Sequence, residues 1–312
     1  MPMTATDASL GDEIDHLLDL SDPQFAQGTQ AQHLQQLLSF RKTILLTQDP
    51  WRRARWHYWV GFLSCCTGGH PDITLVHCCW AQTIAETSGY EEIWPFIDCC
   101  LAQVLLITGD VTEGNTCGQR ALAIFEARGN PWWACRTLWL LSALANAQRH
   151  WEASLEYCQR AKAHAARVDD PRLRVVGLWR TGSTLILSGR PREGLQWCDA
   201  ALAHAPGPFD RATIHAVRGN GLIRSGHLDE GILRLEEALA WFKKRDLWHD
   251  YSVFGLHLGE GYRQRGERIL AQNLFEAIAL MSHDKGYCRL EKRTKKYLST
   301  MEKECSHVDT WQ

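Results

Sequence analysis

Leu185-Ile-Leu-Ser-Gly-Arg-Pro-Arg-Glu-Gly-Leu-Gln-Trp-Cys-Asp-Ala-Ala-Leu202 carries the pattern from which the rest of the chain is built. An apolar face runs into a turn glycine, Gly189. Glu193-Gly194 follow, and seven residues beyond that second glycine stands a small residue, Ala201. The same grammar recurs as Gly109, Glu113-Gly114 and Ala121, and again as Gly226, Glu230-Gly231 and Ala238. Gly266 leads to Ala271 and Ile278, and a worn copy places Gln148 at the turn with Glu152-Ala153 after it. Read as Gly69, Gly109, Gln148, Gly189, Gly226 and Gly266, the turns are 40, 39, 41, 37 and 40 residues apart. A fixed period of this length marks stacked helical hairpins, because one hairpin cannot bury its own apolar face without its neighbours.

Helix pairs pack closely where side chains are small. Gly182, Gly219 and Gly259 stand seven residues before their turns, with Ala102 in that place before Gly109. Together with Ala121, Ala201 and Ala238 these residues resemble the tetratricopeptide repeat, in the slightly lengthened form found in bacterial signal-transduction regulators. The resemblance runs from Trp51 to Asp284, and it is weakest around Gly69 and Gln148. It implies an all-α, right-handed superhelical solenoid of about six antiparallel hairpins over residues 51–284. A helical extension (1–50) precedes it, with a short helix over Asp12–Leu20, and a capping helix and tail (285–312) follow. On that last helix Lys292, Arg293, Lys295, Lys296 and Lys303 are expected to solvate the open end of the stack.

The 312 residues carry 34 basic and 36 acidic side chains, so no global field draws the protein to nucleic acid or anionic lipid. The first forty residues hold no Lys or Arg, unlike a secretory or mitochondrial leader, and no apolar run approaches a membrane span. A cytoplasmic protein with reduced thiols is expected despite its 12 cysteines. Phosphate loops, nucleophile elbows and His-Glu-x-x-His helices are missing, which leaves catalysis and cofactors without positive support.

Two constellations remain. Cys78-Cys79 and Cys99-Cys100, with His77 and Cys117, fall at similar heights on successive helices and suggest a metal site. Core packing competes with that reading, since neighbours on a helix point about 100° apart. The second constellation is the concave groove lined by the first helix of each hairpin. Counting back from the turns places Trp56, Trp59, Phe96, Gln103, Leu138, Ser142, Asn146, Trp179, Ser183, Asn220, Arg224, Glu260 and Arg263 on it. The resemblance implies that an Asn and a basic residue there clamp a peptide backbone or carboxylate, parts that Asn220 and Arg224 can take; the competing arrangement pairs Arg224 with Glu260. The expected function is non-catalytic: an adaptor or regulatory subunit that binds a segment of a partner protein, an effector enzyme among the candidates. A ligand- or metal-responsive sensor is the alternative.

Overall fold

The computed structural model describes Leu18 and residues 30–308, with side chains as far as 303. The expected helix over Asp12–Leu20 lies outside these residues except for Leu18. Two short helices, α1 (Gln30–Ser39) and α2 (Arg41–Leu46), lead into six hairpins. These are α3–α4 (Pro50–Cys66, Pro71–Ser88), α5–α6 (Trp94–Thr108, Val111–Ala127) and α7–α8 (Pro131–Ala147, Trp151–Ala165). Then come α9–α10 (Pro171–Leu187, Pro191–Ala203), α11–α12 (Pro208–Arg224, Leu228–Lys243) and α13–α14 (Trp248–Arg265, Arg268–Asp284). A final helix, α15 (Cys288–Val308), has no partner of its own, and no strand occurs among the described residues.

Local chemistry sets the boundaries. Pro50, Pro71, Pro131, Pro171, Pro191 and Pro208 each open a helix, where the missing N–H costs nothing. Asp49, Asp110, Asn130 and Asp170 accept backbone N–H bonds as N-caps.

The turns inside the hairpins correct the sequence reading in two places. The left-handed residue of the first hairpin is Gly68 (φ 76), not Gly69; that of the third is Arg149 (φ 62), not Gln148. The interval from turn to turn is then 41, 40, 40, 37 and 40 residues, so the third copy is in step with its neighbours. The sequence concealed this because a non-glycine occupies the left-handed turn. Ser154 then takes the place of Gly114 and Gly194, Cys158 rather than Tyr157 fills the core slot of Cys198, and Ser142 stands where Gly182 and Gly219 do. Ser142 accordingly bonds Ser154 Oγ across its own hairpin at 2.8 Å.

Each first helix packs on its own second helix and on the first helices to either side. Polar bonds between neighbouring repeats join residues 38 apart: Trp132 Nε1 to Asp170, Asn146 Nδ2 to Thr184, Arg172 to Asp210, and Gln119 to Tyr157.

The stack does not end open. α15 packs on α13 and α14 and also against α5, near the chain's start. Tyr287 donates its hydroxyl to the carbonyl of Gly68 at 2.9 Å, and Arg289 Nε donates to the carbonyl of Leu106 at 2.7 Å. Cys65 and Ile107 from the first two hairpins share a buried apolar cluster with Leu256, Phe275, Tyr287 and Leu290 from the end of the chain. The superhelix therefore closes on itself. Lys292, Lys295, Lys296 and Lys303 are exposed on α15, but Arg293 turns inward instead of solvating an open end.

Candidate functional site

With the turns placed at Gly68 and Arg149, the inner face is rebuilt from the first helices. Ten residues before each turn stand Tyr58, Cys99, Trp139, Trp179, Ala216 and Leu256; thirteen before, Arg136 and Thr213 join them. Leu138 and Ser142 fall off these rows, Leu138 into the apolar core and Ser142 against α8. Within the rows Tyr58, Cys99, Trp139, Thr213, Ala216 and Leu256 are themselves buried, which leaves Trp179 and Arg136 the partly exposed members. Asn146 half-faces it, with its amide nitrogen committed to Thr184.

The aromatic anchors expected at the amino-terminal end are already occupied by the chain. Trp56 is 2% exposed and its indole N–H donates to the carbonyl of Leu37 at 2.7 Å. Trp59 donates likewise to the carbonyl of Leu18 at 2.9 Å. Phe96 packs among Tyr58, Phe125 and Trp133. Trp56 and Trp59 are structural because α1 and Leu18 supply apolar surface and backbone carbonyls to cover them.

Asn220 and Arg224 do come together, Arg224 Nε donating to Asn220 Oδ1 at 3.2 Å. Glu260 takes its ion pair from Arg263 at 2.8 Å, not from Arg224, although its charge is felt there. Gln103 Nε2 reaches Cys66 Sγ at 3.7 Å, and Ser183 is half-buried on the same face.

The cysteines do not converge on a metal. Cys78 is buried while Cys79, a step of about 100° further round the helix, is exposed. Cys99 and Cys100 are both buried, Cys100 beside Cys78 and Cys99 in the next apolar cluster. Cys99 Sγ accepts from Thr137 at 3.7 Å, and Cys117 lies beside Glu113 and Arg120. His77 meets His57, Nδ1 to Nδ1 at 3.1 Å, away from the thiols' core. Among the described residues no group of three or more His, Cys, Asp or Glu side chains is placed to hold a metal ion, and the described cysteines form no disulfide with one another.

What sequence counting missed is an interior rich in arginine. Arg136 and Arg180 feel each other's charge, and Arg224 feels Arg293 and Arg149; Arg289 also feels Arg293. Cys158, Asp250 and Cys135 oppose this at Arg180, and Tyr297 and Glu260 at Arg224. Burial lowers Arg180 and Arg289 to about 10, and raises the Asp250 carboxyl to about 6. Burial, helped by Arg289, lowers His249 to about 4, and His257 lies well below the ordinary imidazole value for the same reason. The whole chain is slightly acidic, with net charge −2, yet Arg180, Arg224 and Arg289 stand among other arginines in partly buried surroundings. Such a field favours ligands that bring negative charge or oxygen acceptors.

Solved structures of the same shape include a Rap protein complexed with Competence and Sporulation Factor. It aligns over 98% of this chain and 89% of that one, at TM-score 0.66 and 13% identity. Aspartyl phosphate phosphatase F from Bacillus subtilis aligns over 81% and 68% at 0.64 and 16% identity. NprR in complex with its cognate peptide NprX aligns over 89% and 82% at 0.64 and 14% identity. No family model matches the chain, and no curated protein matches it in sequence. The chain shares with them a tetratricopeptide-repeat-like, all-α solenoid fold.

Proposed function

We propose that this tetratricopeptide-type ring is a cytoplasmic regulatory or adaptor protein that recognises a peptide or partner-protein segment on its inner face, without catalysing a reaction. One observation carries the reading. First helices from successive hairpins present Trp139, Trp179, Arg136, Arg180, Asn220 and Arg224 inward, beside a cluster of buried charge with more cations than anions. Aromatic and arginine side chains in desolvated surroundings are the groups that dominate recognition surfaces. Two of the similarly shaped structures are complexes with a factor or a cognate peptide, which supports the same use here. Cysteines buried singly in the apolar core, such as Cys135, Cys158 and Cys198, fit a reducing compartment. An effector enzyme contributing such a segment is compatible with this reading.

The test is selection from a displayed random-peptide library, followed by solution affinity of the recovered sequences. Arg224→Met and Trp179→Ala should each weaken binding about tenfold or more, the loss expected of a central anchor, while each variant still melts cooperatively. Binders unaffected by both substitutions would place recognition elsewhere on the molecule.

A further inference from the structure

The inner face holds a set of hydrogen-bond donors with nothing to donate to. Trp139 Nε1, Trp179 Nε1 and Arg180 Nε are all shut from solvent and have no partner within the protein. Each is an obligate donor, since neither an indole nor a guanidinium accepts. The three residues are in contact through Arg180. Arg180 Nη1 donates to the carbonyl of Trp139 at 3.3 Å, and the Arg180 guanidinium carbon sits 4.8 Å from the centre of the Trp179 ring. Trp139 and Trp179 also occupy the same row of the superhelix, ten residues before Arg149 and Gly189. Trp139 is only 8% exposed, so its indole nitrogen is a buried polar atom facing this interior unsatisfied.

A buried donor left unpaired costs roughly 1–3 kcal/mol, and three in one place is not what a finished core contains. The charges say the same. Arg136 and Arg180 repel each other, and Asp250 acts on Arg180 only through its charge. What the group lacks is an anion with several oxygen acceptors.

We propose a carboxylate subsite where α7 meets α9, in which Arg180 and the indole N–H groups of Trp139 and Trp179 bind a carboxylate of a short peptide, with Arg136 adding charge. This rests on the reading of the inner face as the recognition surface, and it is separate from the Asn220–Arg224 pair on α11. The carboxylate comes from the ligand's free carboxyl terminus or from an acidic side chain. Because the three nitrogens are closed to solvent, binding is coupled to a slight widening between neighbouring first helices.

The experiment uses the full chain in equilibrium dialysis against four pools of random hexapeptides, read by mass spectrometry. The pools have free or amidated carboxyl termini, each with or without Asp and Glu. Retention of carboxylate-bearing peptides, with the neutral amidated pool lost, is the expected result. The two mixed pools then tell terminus from side chain. Arg180→Met should lower retention about tenfold, as expected for loss of a charge-assisted bond. Trp139→Phe and Trp179→Phe, which keep the ring and delete the donor, should lower it to a lesser degree and stand in if Arg180→Met does not fold. Asp250→Asn should raise it about threefold by removing a competing charge. Equal retention of the neutral amidated pool, untouched by these substitutions, overturns the carboxylate subsite while leaving peptide recognition standing. If no pool is retained, both readings fall.

Discussion

Arg149 is held at φ 62, in the left-handed region that disfavours a side chain bearing Cβ. The hairpin needs that conformation: Gly109, Gly189, Gly226 and Gly266 adopt it at the equivalent turns. Replacing Arg149 by Gly should therefore raise stability by about 0.5–1 kcal/mol, the left-handed strain less the extra entropy glycine loses on folding. A urea melt would record a higher midpoint at unchanged slope. A lower midpoint would mean that the guanidinium, which Arg224 feels, contributes more than its backbone costs.

At the scale of helices, the hairpins are joined by backbone nearly touching backbone. A Cβ on Gly182 would lie 2.8 Å from the carbonyl oxygen of Gly194, and one on Gly194 would lie 2.6 Å from that of Gly182. Backbone cannot swing aside as a side-chain tip can. Gly182→Ala should therefore cost about 1–3 kcal/mol through overpacking. Gly177, in the same helix, has nothing within 4 Å of its would-be Cβ, so Gly177→Ala should stabilise by roughly 0.5–1 kcal/mol through helix propensity. Paired thermal melts of the two variants check both signs. If Gly182→Ala were neutral, α9 and α10 would have to part without loss.

The whole molecule has a pH dependence that no single hairpin predicts. His57, in the first hairpin, and His249, in the last, are both held down to about 4, chiefly by burial. Their folded values lie below the unfolded one, so the unfolded chain binds the extra protons. Stability from them is complete above about pH 6.5 and is lost as pH falls toward 4. Asp250 acts oppositely: burial raises it to about 6, so the folded state takes up its proton first, offsetting one histidine over part of that window. These three groups leave about one net proton, and His257, His77 and His215, also held down by burial, add to it. The loss is then at least about 1.4 kcal/mol per pH unit between 6 and 5. Melting temperature should fall over that interval. In His249→Gln the fall should shrink, and in Asp250→Asn it should steepen while stability at pH 7 rises. A melting temperature flat from pH 7 to 5 would contradict the burial of these groups.

The residues themselves determined the architecture. Gly182, Gly194, Gly219 and Gly231 permit the approach of two helices at a 37-to-41-residue interval, and that is a local requirement legible in one dimension. Also legible was the joining of Asn220 to Arg224, because residues one helical turn apart meet wherever the helix lies. The turn at Arg149 was hidden, since a left-handed conformation is a property of backbone that only glycine advertises. Hidden too were the covering of Trp56 and Trp59 by Leu37 and Leu18, the seating of Tyr287 on Gly68 across 219 residues, and the gathering of Arg136, Arg180, Arg289 and Arg293 inside. Each depends on how far the superhelix has turned when the chain returns to its beginning. That angle is a sum of small rotations between hairpins, and only the packed tertiary structure evaluates it.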